Sequence, residues 1–150
     1  RVIATAGSAA KLERLRALGA HEVVNHATED VGARVRELTA KQGVEVVFEH
    51  VGGAVFEQAV GALARGGRLV TCGATAGGSV GLDLNMLFGR HLTLLGSWMG
   101  RRAELVEVLR FIGDGRLKPV VDSVVPLAEA RRAHERIEAR EHFGKVVLVP

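Results

Sequence analysis

The sequence has little of several residue types that mark particular protein classes. Its 150 residues include one cysteine, one tryptophan, three prolines and no tyrosine. A lone cysteine, Cys72, excludes an internal disulfide, which fits a reducing cytoplasm rather than a disulfide-stabilised secreted domain. No apolar run approaches the ~20 residues that a membrane-spanning helix needs. We therefore expect a cytoplasmic protein with no membrane association.

The net charge of +3 does not indicate a nucleic-acid-binding protein. The basic residues alternate with acidic ones in segments such as "ELVEVLR" and "LAEARRAHERIEARE". This alternation is typical of solvated helix faces, whereas nucleic-acid-binding surfaces concentrate charge of one sign.

The residues that are abundant favour an α/β domain. Hydrophobic residues make up 47% of the chain, and 19 glycines indicate many tight turns. Residues 2–5 predict a strand, Ser8 an N-cap, and Leu12, Leu15 and Leu18 a helix that ends at Gly19. A second strand, "EVVN", precedes a helix that we expect Thr28 to cap.

The same strand-then-helix unit repeats along the chain. Strand "VEVVFEHVG" precedes a helix carrying Phe56, Val60 and Leu63, and strand "GRLVTCG" follows. Further strands are predicted at "LTLLGSW", "VVDSVVPL" and "KVVLVP", with His134 on the apolar side of the last helix. Strand onsets about two dozen residues apart suit parallel strands joined by helices. We therefore predict one Rossmann-type, doubly wound parallel α/β domain over residues 1–150.

The loops that follow the strands are where such a sheet binds ligands. A dinucleotide site also needs the turn G-x-G-x-x-G after its first strand, and this motif does not occur here. We expect that the first strand and its glycine-rich loop precede Arg1. That strand would lie between the strands at residues 2–5 and 44–50.

Five segments together resemble the medium-chain dehydrogenase/reductases, which include zinc-type alcohol dehydrogenases and NADPH quinone oxidoreductases. They are "RVIATAGSAAKLERLRALGAHEVVNH", "VEVVFEHVGG", "LARGGRLVTCGATAGG", "LTLLGSWMG" and "HFGKVVLVP", in the family's order. The resemblance implies the C-terminal part of a coenzyme-binding domain, without the catalytic domain. The activity it implies is hydride transfer between a nicotinamide and either an alcohol/carbonyl pair or a quinone or enone. "ATAGSAAK" and "RAHERIEA" favour the quinone or enone reductases.

The resemblance also implies a cofactor and its contacts. Thr5, Ala6 and Gly7 occupy the strand end where NAD-preferring members carry an acid, and Ser8 and Lys11 resemble the 2′-phosphate contacts of NADPH-using members. NADP(H) is therefore favoured over NAD(H). The family's remaining contacts map onto His50, Val51, Gly52, Cys72, Gly73, Ala74, Ser97, Trp98, Met99 and Lys145.

The resemblance further implies a homodimer or homotetramer, formed through an edge strand near residues 92–96. Trp98 is expected in the core by default, although a cofactor wall or an interface would also suit it. The histidines and Cys72 show no metal-ligand spacing, so any zinc would be held by the catalytic domain. No catalytic residue is assigned in this chain, and Glu49 is interpreted as a strand-end carboxylate bonding a loop amide.

Two other functions compete with this interpretation. A Rossmann-like module that binds a nucleotide without catalysis would suit a chain that lacks the glycine motif. An S-adenosylmethionine methyltransferase shares the alternating pattern, but it predicts a glycine-rich turn after a first strand, and the five matching segments argue against it.

Overall fold

The computed structural model describes residues 1–150, which form two compact units, Arg1–Met99 and Gly100–Pro150. The first unit alternates strands and helices: β1 (Ile3–Ala6), α1 (Ala9–Ala17), β2 (Glu22–Asn25), α2 (Val31–Leu38), β3 (Val44–Glu49), α3 (Gly53–Gly61), β4 (Leu63–Thr71), α4 (Leu84–Gly89) and β5 (Thr93–Gly96). The second contains α5 (Arg102–Gly113), β6 (Val121–Pro126), a 3₁₀ turn (Leu127–Glu129), α6 (Ala130–Glu138) and β7 (Lys145–Val149). None of these helices combines the length and apolarity needed to cross a membrane.

All strand pairs in the chain are parallel, which confirms the predicted α/β class. Within the first unit β1 pairs with β2, and β3, β4 and β5 form a second sheet in that order. Each of β1 and β3 has one strand partner, and they do not pair with each other. The two sheets therefore present open parallel edges, on the two strands between which we expected the first strand of the fold.

The core of the first unit lies between α3 and one face of the β3–β4–β5 sheet. Phe56, Val60, Leu63 and Leu69 are buried there, with Leu94 packed against them. Apolar residues alternate along a strand, so every second side chain meets the helix. Because β3, β4 and β5 are parallel, the loops that follow them lie at one edge of the sheet.

In the second unit β6 pairs with β7, and an ion pair between a buried aspartate and a partly exposed arginine joins β6 to α6. Asp122 on β6 accepts from Nε of Arg136 on α6 at 2.7 Å and from the amide of Phe143 at 3.0 Å. The guanidinium of Arg136, followed by that amide, holds the pKa of Asp122 well below its ordinary value. The ionised carboxylate thus joins β6, α6 and the loop before β7.

Several local predictions are confirmed and others are wrong. Ser8 caps α1, but Asp30 rather than Thr28 caps α2, because its side chain accepts from the amide of Ala33. Leu63 belongs to β4 rather than to the preceding helix. His134 is exposed on α6, so its predicted position on the apolar side of that helix is wrong.

Candidate functional site

The turn between β3 and α3 is tightly constrained. Gly52 has φ 75° and precedes α3, and a Cβ built on it would lie 2.3 Å from the carbonyl oxygen of Gly77. Only glycine fits this backbone conformation and this close approach. Two main-chain hydrogen bonds also join this turn to the loop after β4. Gly53 N donates to the Gly77 carbonyl at 3.1 Å, and Ala76 N donates to the Val51 carbonyl at 2.7 Å.

Glu49, the last residue of β3, accepts hydrogen bonds from this turn through its buried side chain. Its side chain is buried, and Oε1 accepts from the amides of Val51 and Gly52 at 2.5 and 2.7 Å. Oε2 accepts from the Thr71 hydroxyl at 3.1 Å. The predicted bond between this carboxylate and a loop amide is therefore present, with a second amide and a hydroxyl in addition.

The loops after β3 and β4 come together at the carboxyl edge of the sheet. A Cβ on Gly73 would lie 2.8 Å from the carbonyl oxygen of His50, and the Thr75 hydroxyl donates to the same oxygen at 3.5 Å. Cys72 N donates to the Glu49 carbonyl at 3.1 Å. Two of the predicted groups of contact residues, 50–52 and 72–74, are thus neighbours.

The segment after β5 joins this edge through one hydrogen bond. Ser97 N donates to the carbonyl of Thr71 at 2.9 Å, which places Ser97 beside the end of β4. Trp98 and Met99 follow with 89% and 82% of their surface exposed. The default expectation that Trp98 lies in the core is therefore wrong, and its indole is available at the edge where a ligand is expected.

The end of β1 forms a separate polar group in the first unit. The Ser8 hydroxyl accepts from the amide of Lys11 at 3.4 Å, and both residues lie at the start of α1. A Cβ on Gly7 would lie 3.0 Å from Nε2 of His26, so that imidazole lies beside the Gly7–Ser8 turn. Glu29, in the loop after His26, accepts from Asn25 N at 2.8 Å and lies 3.8 Å from Arg34.

Sequence reasoning overlooked His26 as a member of this group. The histidine directly follows β2, and its amide donates to the Ala6 carbonyl at 3.1 Å, which ties it to the end of β1. The rule that ligands meet the carboxyl ends of parallel strands provides the signal that would have found it.

The remaining predicted contact residue lies in the second unit. Lys145 begins β7, its side chain is exposed, and its amide donates to the Val120 carbonyl at 2.8 Å. Its role at a cofactor phosphate stays a prediction. Nowhere in the chain do three or more histidine, cysteine or acidic side chains come together in a metal-binding arrangement.

The donor set at the end of β1 has the chemistry of an anion site. It combines a hydroxyl, an amine and an imidazole at the N-terminal end of α1, where the helix dipole favours negative charge. The first turn of α1 contains no acidic residue. These residues suit an anionic group, and residues 72–74 and 97–99 in the loops after β4 and β5 are exposed.

Comparison with protein families and curated proteins gives consistent results. The family described as zinc-binding dehydrogenase matches residues 1–114. Quinone oxidoreductase 1 of Escherichia coli (strain K12) is 32% identical over all of this chain, which spans 49% of that protein. Quinone oxidoreductase-like protein 2 of Bos taurus is 31% identical over 99% of the chain, which spans 45% of it. The chain thus spans about half the length of the curated relatives it matches.

Solved structures show the same likeness. An NAD-dependent alcohol dehydrogenase aligns with the whole chain at 45% identity and a TM-score of 0.89, and 44% of that protein is covered. The alcohol dehydrogenase of the hyperthermophilic archaeon Aeropyrum pernix aligns with 99% of the chain at 33% identity and a TM-score of 0.91, with 42% covered. These likenesses confirm the predicted Rossmann-type fold.

Proposed function

Because the chain belongs to the zinc-binding dehydrogenase family, we propose that it forms the coenzyme-binding part of an NAD(P)-dependent oxidoreductase. Its likeness to quinone oxidoreductases and alcohol dehydrogenases supports an oxidoreductase role. The observation that carries the proposal is the meeting of the loops after β3, β4 and β5 at one sheet edge, where α/β sheets bind dinucleotides.

The proposed cofactor is NADP(H). Ser8, Lys11 and His26 would hold its 2′-phosphate, and residues 50–52, 72–74 and 97–99 would line the remainder. When bound, the nicotinamide carries the hydride that passes to or from the substrate. The chain's own contribution is to bind and orient the dinucleotide through main-chain groups held by the β3–α3 turn.

The proposed reaction is reduction of a quinone or an enone by NADPH, and oxidation of an alcohol is the alternative. The relatives named quinone oxidoreductase and 2-haloacrylate reductase support a carbon–carbon or quinone acceptor. The NAD-dependent alcohol dehydrogenase supports the alternative in both substrate and cofactor. We propose that any zinc would be held by a separate catalytic domain.

The experiment is an absorbance assay at full natural length. NADPH or NADH is mixed with a quinone or an enone, and NADP⁺ or NAD⁺ with a panel of alcohols. Oxidation of NADPH by a quinone or an enone is expected. Turnover of alcohols alone would support the alternative reaction, and absence of any turnover with retained dinucleotide binding would favour a non-catalytic nucleotide-binding module.

We further propose that two copies pair through β5 in the cytoplasm. β5 is the edge strand of its sheet, and Leu95 on this strand is 48% exposed. An apolar edge strand invites pairing with another chain. A twofold axis would join the two sheets into one.

A further inference from the structure

Glu49 is a buried acid whose partners are not cations. Its exposed fraction is 4%, and its two carboxylate oxygens meet two turn amides and one hydroxyl. Burying a carboxylate has a solvation cost that neutral donors offset only in part. A negatively charged acceptor, however, forms stronger hydrogen bonds with amides than a neutral one does.

The three donors belong to the two loops proposed to bind the cofactor. Val51 and Gly52 form the β3–α3 turn, and Thr71 ends β4 immediately before the loop at residues 72–74. The Glu49 carbonyl also accepts from Cys72 N at 3.1 Å, so side chain and main chain of one residue connect both loops. Movement of this side chain would therefore break its bonds to the β3–α3 turn and to Thr71, while the main-chain bond to Cys72 would remain.

We propose that Glu49 is a positioning residue, which fixes the β3–α3 turn and the end of β4 in the conformation that receives the dinucleotide. The role rests on the proposed function, because the benefit of a rigid turn is affinity for the cofactor. Preorganised loops bind more tightly because less conformational freedom is lost on binding. Glu49 acts through the turn and does not itself contact the cofactor.

The test compares four variants at full natural length. Glu49→Ala removes all three acceptor contacts, Glu49→Gln keeps an acceptor oxygen for the amides, and Thr71→Val removes the hydroxyl alone. Glu45→Gln is the matched control, since Glu45 is exposed on the same strand. Calorimetry gives the Kd for NADPH, and hydrogen exchange reports on the Val51 and Gly52 amides.

Glu49→Ala should weaken NADPH binding by about tenfold or more, since all three hydrogen bonds that fix the turn and the end of β4 are lost. Glu49→Gln should stay within about threefold of the wild type because the geometry is retained, and Thr71→Val should lose about threefold. Exchange of the turn amides should rise in Glu49→Ala while the Leu69 amide in the core stays protected. Glu45→Gln should change neither readout.

Three results would overturn the inference. A folded Glu49→Ala variant with wild-type affinity would do so, as would a Glu49→Gln variant as weak as Glu49→Ala, because charge rather than position would then matter. If Glu49→Ala does not fold, unchanged affinity and unchanged turn exchange in Thr71→Val would also contradict it. Absence of dinucleotide binding in the wild-type protein would overturn the proposed function instead.

Discussion

Replacing Ser8 with aspartate should turn the proposed NADPH preference toward NADH. Ser8 is exposed and caps α1 through the Lys11 amide. Aspartate is as good an N-cap as serine, and an acid near the N-terminus of a helix is favoured by its dipole. The Ser8→Asp variant should therefore fold with unreduced stability, so that the change reports on the cofactor alone.

The expected magnitude follows from charge repulsion. Two unit charges about 5 Å apart repel by roughly 1 kcal/mol in water and 3 kcal/mol near a protein surface. Ser8 is exposed, so we take the middle of this range, which corresponds to about tenfold or more weaker NADPH binding. NADH lacks the 2′-phosphate, so its Kd should change by less than about threefold.

The assay is calorimetric titration of both cofactors at two salt concentrations. The control is Gln42→Glu, which makes the same change in charge in the exposed turn before β3, at the amino end of the sheet. The NADPH defect of Ser8→Asp should shrink at high salt, since screening weakens exposed charges. An unchanged Kd for NADPH, or equal weakening of both cofactors, would refute the assignment of Ser8 to the phosphate.

Three further perturbations test packing, charge and assembly. Leu69→Ala empties a fully buried position and should lower the free energy of unfolding in denaturant by about 2–5 kcal/mol; a loss below about 1 kcal/mol would contradict the described core. Arg136 lowers the pKa of Asp122, so the ionised carboxylate stabilises the folded state. This stabilisation is complete above about pH 4 and is lost as the pH falls further. Asp122→Asn should therefore lower the melting temperature near neutral pH and flatten its acid dependence, and parallel pH curves would disprove this. Leu95→Lys should yield monomers in analytical ultracentrifugation, whereas Leu84→Lys, at a more exposed leucine of α4, should not; an intact oligomer in Leu95→Lys would exclude the β5 interface.

The parts of the fold set by local chemistry could be predicted from the sequence. Ser8 directly precedes an apolar periodic segment, and only one polar residue there can cap the helix. The loop before α2 offers several candidates, and Asp30 rather than Thr28 is the cap because α2 begins at Val31. Helix ends are located from sequence only to within about one or two residues.

Buried strands and buried helices are harder to separate. Leu63 continues the helical spacing of Phe56 and Val60, yet it begins β4 with no exposed surface. Both elements are apolar at this junction, so periodicity alone does not locate the boundary. The predicted burial of Trp98 is wrong for a related reason. Its hydrophobicity predicts a place in the core, but its position in a loop leaves it exposed.

The candidate site was predictable wherever it follows a strand end. Residues 50–52 and 72–74 were identified from the strand-end rule and from the resemblance, and the structure brings them together. His26 satisfies the same rule, but the resemblance maps no cofactor contact onto it. The Thr71 partner of Glu49 required the register of β3 against β4, which aligns the two residues and which no sequence pattern specifies.

The central claim is that this chain binds a nicotinamide dinucleotide at the carboxyl edge of its strands. The most direct measurement is calorimetric titration of the protein at full natural length with NADPH, NADH and adenosine 2′-phosphate. We predict saturable binding of NADPH, weaker binding of NADH, and competition between adenosine 2′-phosphate and NADPH. Absence of binding heat with both dinucleotides, together with no change in melting temperature, would contradict the account.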